Sequence, residues 1–346
     1  MRYEFLNVCN DVTKTATKIP QSEYLPKGLY PIYDQGKDVV GGYSNRNDGI
    51  ANDYPYICFG DHTRVIKYID SPCFIGADGV KLLKVMNNNF LPKYVYYSMV
   101  ANPVDSQGYS RHYKLLKETT INYVDRVIQS KIIDELDNLN NIIRTKKDEL
   151  LLHDELIKSR FIEMFRKYNK VELHTISKIT MGQSPDSSSY NDEGNGTPFF
   201  QGKGDYGDKY TVVKHYTTSP KKIAKKDSVL MSVRAPVGPV NIANTDCCIG
   251  RGLCSIDAIE GQTNNEFIYN ALNAMQDEIS GKGNGSTFKA INKDDVYKLQ
   301  IPSAPIDEQN DFSNFVKLID KSKFIVQKEI KDLQELLDKK MDEYFG

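Results

Sequence analysis

Arg and Lys recur in this chain beside Gln, Tyr, Ser and Gly, a set suited to gripping nucleic acid rather than to breaking bonds. In the first third these side chains are Gln35 and Lys37, Tyr43 and Arg46, His62 and Arg64, Lys81, and Arg111 within the run Tyr109–Lys114. Past residue 167 they are Gln201, Lys203 and Tyr206, then Arg234, Arg251, Ser286, Thr287 and Lys289. Arg or Lys reads guanine edges and Asn or Gln reads adenine, while Ser, Thr and backbone N–H groups near Gly hold phosphates. The same residue types also build turns, so each loop taken singly fits a structural role as well.

No catalytic constellation accompanies them. The sequence contains no G-x-x-x-x-G-K-[ST], no G-x-S-x-G and no H-E-x-x-H. Gly202–Gly204 and Gly281–Gly285 are glycine-rich, but neither follows a clear strand and opens a helix as a dinucleotide site does. Asn52–Tyr56 has only a superficial likeness to the Asn-Pro-Pro-Tyr of adenine methyltransferases, because one proline and the order are wrong. Cys9, Cys58, Cys73, Cys247, Cys248 and Cys254 form no C-x-x-C pair, and the five histidines do not pair at ligand spacing. No metal site is therefore expected, and the thiols read as reduced and structural.

The 346 residues carry 45 basic and 46 acidic side chains, a net charge of −1 that excludes a polycation holding nucleic acid by bulk charge. Residues 1–117 hold 14 basic and 11 acidic groups, and residues 167–300 hold 16 and 15. The stretches 118–166 and 301–346 are acidic, at 8 against 10 and 7 against 10. Any DNA affinity must therefore come from a few placed contacts or from basic partners. No run approaches about eighteen apolar residues, and the first residues lack a secretion signal, so a cytoplasmic protein is expected.

An internal repeat organises these loops. Residues 121–165 overlay residues 301–345 without a gap: Ile121 falls on Ile301, Gln129 on Gln309, Glu149 on Glu329 and Phe165 on Phe345. Both stretches lack Gly, and beyond their first few residues they lack Pro, which predicts two long helices. Leu136, Ile143, Leu150 and Ile157 recur at heptad spacing in the first. Phe312, Ile319, Val326 and Leu333 do so in the second, whose other row is broken by Lys323. Such rows predict a coiled-coil seam, and about forty helical residues span roughly 60 Å. A rod of that length needs a partner, and its own repeat is the obvious one.

The segments ahead of the helices echo each other more loosely. Pro31–Lys37 resembles Pro198–Lys203 with one residue removed, Ile75–Val80 resembles Ile249–Leu253, and Gly108–Lys114 aligns with Gly283–Lys289. Between these echoes lie short runs rich in Val, Ile and Tyr, such as 54–59, 63–68, 228–234 and 239–243, separated by turn residues. The expected fold is α+β: two β-rich domains, 1–117 and 169–300, each followed by a helical region, 118–168 and 301–346.

In this plan the chain resembles the specificity subunit of type I restriction–modification systems over nearly its full length. The resemblance rests on the duplicated domain-plus-helix layout and on particular motifs. Tyr30–Gly36 with Gly42 and Tyr43, Phe59–Arg64 and Gly76–Gly79 are similar to one class of target recognition domain. Met181–Pro185, Ser232–Gly238 and Gly285–Lys289 are similar to another. Ile301-Pro302 followed by Glu308-Gln309 matches the family's approach to its helix; the first repeat departs there, with Ile121-Asn122 and Val127-Ile128-Gln129.

The resemblance implies that each recognition domain reads one half of a split DNA site through the major groove. It implies an antiparallel helix pair that sets the spacer and docks two methyltransferase subunits. Catalysis and cofactors would then lie in partners: S-adenosylmethionine in the methyltransferase, ATP and Mg in a restriction subunit where one joins. This chain would bind no cofactor itself and would not be an enzyme. By family position Gln35, Lys37, Tyr43, Arg64, Lys203, Tyr206, Arg234 and Lys289 are the foremost DNA contacts. A subunit of a methylation-only complex and a coiled-coil protein scaffold are the alternatives.

Overall fold

Short runs rich in Val, Ile and Tyr become strands, and the Gly-free stretches become two helices of 40 residues each. The computed structural model describes residues 1–108, 110–281 and 290–346, so Ser286, Thr287 and Lys289 lie outside the described residues. The chain divides into two spatial units, residues 1–147 with 328–346 and residues 148–327. These differ from the linear segments because each β-rich region packs on a stretch of both long helices.

The first unit begins with β1 (Arg2–Glu4), β2 (Cys9–Asp11), β3 (Lys18–Ile19), β4 (Tyr30–Tyr33) and β5 (Gly42–Ser44). It continues with β6 (Tyr56–Gly60), β7 (Ile66–Ile69), β8 (Phe74–Gly76), β9 (Val80–Val85), α1 (Pro92–Ala101) and α2 (Tyr113–Leu116). Strand β10 (Thr120–Asn122) leads into the long helix α3 (Arg126–Phe165). One sheet is antiparallel, in the order β2-β9-β6-β7; the other, β3-β8-β4-β5, has β8 parallel to both its neighbours. A ribbon of β1 and β10 closes the unit beneath α3.

The second unit repeats this. Its elements are β11 (Lys170–Glu172), α4 (Leu173–Ile176), β12 (Ser177–Met181), β13 (Tyr190–Asn191), β14 (Thr197–Phe200), β15 (Tyr216–Thr217) and β16 (Ile223–Ala224). Then come β17 (Val229–Ser232), β18 (Val240–Ile242), β19 (Cys247–Ile249), β20 (Leu253–Ala258), α5 (Asn265–Ala274) and α6 (Gln276–Gly281). Helix α7 (Lys293–Tyr297) and strand β21 (Gln300–Pro302) precede the second long helix, α8 (Ile306–Phe345). The sheet β12-β20-β17-β18 matches β2-β9-β6-β7 in order and sense. Tyr33 pairs with Ile75 in parallel, as Phe200 does with Ile249. The two sequence echoes are thus one parallel strand pair built twice.

One expected strand is shorter than its composition suggests. The run 63–68 is a strand only from Ile66, because Arg64 donates its backbone N–H to the Gly60 carbonyl at 2.7 Å and sits at φ 62°. The apolar pattern carries no information about that turn.

The long helices run antiparallel, and residue numbers rise along one as they fall along the other. In the first unit Glu135 meets Lys340 and Tyr344, and Lys146 meets Glu329 at 2.8 Å. In the second, His153 meets Ser322 at 3.3 Å and Asp154 meets Lys323 at 2.7 Å. Leu136, Ile143, Phe312 and Val326 are buried, the first and third also against aromatic residues of the β-rich regions. The equivalent glutamines fasten each helix at its start. Gln129 Nε2 donates to the carbonyls of Asn89 and Val124, and its Oε1 accepts from Leu91 N. Gln309 does the same with Gln262 O, Ala304 O and Thr263 Oγ1.

All six cysteines are buried free thiols, and burial pushes Cys58 and Cys254 up to about 12. Among the described residues no helix is long and apolar enough to cross a membrane, and no cluster of three His, Cys, Asp or Glu side chains could hold a metal ion.

Candidate nucleic-acid interface

In the first unit the loops after β4, between β6 and β7, between β8 and β9, and before α2 converge. Thr63 Oγ1 donates to the Gln35 carbonyl at 2.7 Å, and Asp61 N donates to the Gly79 carbonyl. A Cβ on Gly79, at φ +60°, would stand 2.7 Å from Gln35 Oε1 and 2.8 Å from the His62 ring, so only glycine lets these loops meet. Gln35 Oε1 is enclosed there with no hydrogen-bond partner among the described residues, and His62 Nδ1 lies 3.1 Å from Ser110 O.

His112 is fully buried and holds the fourth loop. Its Nε2 accepts from Gln107 N, which leaves Nδ1–H to donate to the Asp61 carbonyl at 3.0 Å. The Asp61 carboxylate, itself buried, accepts from Tyr113 N at 2.7 Å. Sequence reasoning missed Asp61, Thr63 and His112, whose only signal was their place inside motifs already singled out.

Most cations of the first unit have partners within it. Arg46 pairs with Asp48 and Lys81 with Asp11, while the Arg64 guanidinium donates to Val104 O at 3.0 Å. Asp11 feels burial, which raises its pKa, but hydrogen bonds from Thr13 and Lys81 hold it below the ordinary carboxylate value. Lys37 and Arg111 are exposed with no ion-pair partner among the described residues, and Tyr43 sits half-buried on β5, opposite Pro31.

The second unit gathers its candidates more tightly. Gln201, Lys203, Arg234 and Arg251 line one cleft with Ser184 and Ser232. Asp205, buried, accepts from the backbone N–H of Gln201 at 2.6 Å and of Gly202 at 3.3 Å, which fixes the first loop. A Cβ on Gly252, the counterpart of Gly79, would stand 2.3 Å from the Gln201 carbonyl oxygen. The Arg234 carbonyl accepts from Ser232 Oγ and its backbone bridges to Ala290, so the main chain is held on both sides while the side chain is exposed.

Lys203, Arg234 and Arg251 have no ion-pair partner among the described residues, which makes this cleft the stronger cationic surface of the two. Tyr206 does not face it as a free hydroxyl. Its ring packs on the core around Phe200, its hydroxyl is enclosed with no partner among the described residues, and burial raises its pKa well above the ordinary value.

The heptad residues of the two long helices line the chain's own seam. Leu150, Ile157, Ile319 and Leu333 are half-buried there, beside the fully buried set named above. The apolar side chains that the seam leaves exposed are others, among them Leu151 and Leu152 on α3 and Phe324 and Ile325 on α8, each more than half exposed. They sit one or two positions off the heptad rows, where periodicity alone gives no reason to look.

A β-rich unit with converging polar loops is thus built twice, each time followed by a long helix of an antiparallel pair. Residues 166–335 match the family model for the type I restriction modification DNA specificity domain. A relative from Methanocaldococcus jannaschii, described as a type I restriction enzyme specificity subunit, is 40% identical over 192 residues. That match covers 55% of this chain and 45% of the relative, so the chain spans about half the length of the curated protein it matches.

Two solved structures share the fold along the whole chain. A chain from a type I restriction–modification system solved for its assembly and conformational transition aligns with TM-score 0.63 at 23% identity, covering 100% of this chain and 97% of that one. The type I specificity subunit from M. genitalium aligns with TM-score 0.62 at 14% identity, covering 100% and 96%.

Proposed function

We propose that this chain is the DNA sequence-recognition subunit of a type I restriction–modification complex. Each unit reads one half of a bipartite duplex site through its converging loops. The helix pair sets the spacer between the halves and docks methyltransferase subunits, with Leu151, Leu152, Phe324 and Ile325 as the apolar side chains left for that contact. The observation that carries the reading is the loop cluster built twice, with Gln201, Lys203, Arg234 and Arg251 around one cleft. Catalysis, S-adenosylmethionine, ATP and Mg belong to partner subunits, and the chain itself is non-catalytic.

Base-resolution sequencing of adenine methylation in the host, with and without this gene, tests the proposal. Loss of one bipartite asymmetric motif on deletion is the expected result. Unchanged methylation in cells that express the protein would sink it.

Two cations of the cleft should behave differently. Arg234→Ala should relax the motif at one half only, at about 1–3 kcal/mol for a base contact. Lys203→Ala should weaken binding to all sequences alike and lower the slope of log affinity against log salt by about 1. Binding titrations of the two variants on the motif and on a scrambled duplex, across a salt series, separate the outcomes.

A further inference from the structure

The loop that carries Gln201 and Lys203 has a second end, which is held away from the cleft by residues distant in sequence. From Asp205 the chain folds into a hairpin: Tyr206 bridges Thr211, Gly207 N donates to Tyr210 O at 3.0 Å, and Val212 N donates to Asp205 O at 2.8 Å. Its tip is the pair Asp208-Lys209, and both tip residues are taken up by helices of the same unit. Lys209 Nζ lies 2.9 Å from Glu266 Oε1 on α5 and 2.5 Å from Asp320 Oδ2 on α8. Asp208 lies 3.6 Å from Lys323 and 3.4 Å from Gln327 Nε2, both on α8. The side chains of Lys209 and Lys323 are each only 13% exposed, so Lys209 with Glu266 and Asp320 is the shielded part of this contact, while Asp208, 67% exposed, meets α8 at its surface.

Burial lowers the pKa of Lys209, but Glu266 and Asp320 outweigh it and hold the ammonium more firmly protonated than usual. At its other end the same hairpin passes its position to the cleft, since the Asp205 carboxylate holds the Gln201 and Gly202 amides. The shorter loop between β4 and β5 in the first unit is held differently, by Asp34, which accepts from Gly36 N at 2.9 Å and meets Lys67 at 3.2 Å within the β-rich region itself.

We infer that Asp208 and Lys209 are positioning residues that register the DNA-reading loop of the second unit on helix α8. A force on α8, such as the docking of a partner subunit, thereby reaches Gln201 and Lys203 without any change at the cleft. The inference rests on the proposed DNA-reading role of those two residues.

The test is the double substitution Asp208→Asn with Asp320→Asn, placed at the native locus. It removes both ion pairs between the tip and α8 but leaves Lys209 with Glu266 and Lys323 with Asp154, so no buried ammonium is stranded. In base-resolution methylation sequencing, the variant is expected to lose base preference about tenfold or more in one half of the motif, with the other half intact. Lys209→Arg, which keeps the charge and its acceptors, should retain the parental motif.

An unchanged motif with full methylation overturns the inference. So does an unchanged motif with methylation reduced at every site alike, the mark of a merely destabilised protein. If deletion of the gene removes no motif, the DNA-reading function itself fails, and that outcome is read before any variant is made.

Discussion

Gln309→Leu should lower the stability of the second unit by roughly 2–6 kcal/mol, since two buried hydrogen bonds and a part-buried one vanish and each fully buried partner left unpaired costs about 1–3 kcal/mol. The volume is nearly conserved, so the effect isolates hydrogen bonding from packing. The amide supplies one acceptor, used by Thr263 Oγ1 at 2.8 Å, and two donors, used by the carbonyls of Gln262 and Ala304 at 3.1 and 2.8 Å. These join the segment before α5, the turn leaving β21 and the first turn of α8. No other side chain of that size offers the set; Glu would present acceptors to two carbonyls. Gln129→Leu should act in the same way on the first unit, where Leu91 N, Asn89 O and Val124 O lose their partner. Denaturant titrations of the two variants check this, and a shift below about 1 kcal/mol in both would show that water replaces the amide at little cost.

Phe165→Ala should cost about 3–5 kcal/mol, the range for deleting a large aromatic side chain from a closed core. The ring is 1% exposed and meets Phe161 at 5.0 Å, Phe267 at 4.8 Å and Phe312 at 5.5 Å between centroids. Two of those contacts are edge-on, at 86° and 82°, the arrangement that adds to simple burial. These four rings come from α3, α5 and α8, so the cavity would loosen the β-rich region and both helices together. Phe345, its partner in the repeat, is 3% exposed and meets Tyr94 at 5.2 Å and Tyr344 at 6.5 Å. Phe345→Ala should therefore cost less than Phe165→Ala. Calorimetry on the two variants decides the order.

Much of the interface was legible from motifs, but its chemistry was not. Gly79 and Gly252 were visible as echoes, and the structure shows why: each backs directly onto a glutamine-bearing loop. The cations divided in a way that no motif indicated. Arg46 is neutralised two residues away by Asp48, whereas Lys81 finds Asp11 seventy residues back and Lys67 finds Asp34 just past the end of β4 in the other sheet. Arg234 and Arg251 remain free of any ion pair among the described residues although their sequence surroundings look no different. The interruption of the heptad row at Lys323 was visible too, but not its use as the partner of Asp154 and Asp208.

By itself the sequence determined the duplication, the two long helices, the β-rich character of the regions before them and the identity of the helix-fastening glutamines. All of these are carried by local composition, by period or by self-alignment, which survive without knowing what lies across space. Only the tertiary structure decided which apolar helix positions stay exposed, which cations keep their charge available, and that the tip Asp208-Lys209 is held by α5 and α8. Apart from Arg46 with Asp48, those are pairings between residues 33 to 169 positions apart. The Coulomb and desolvation energies that settle them depend on distance and burial after folding, to which sequence spacing is blind.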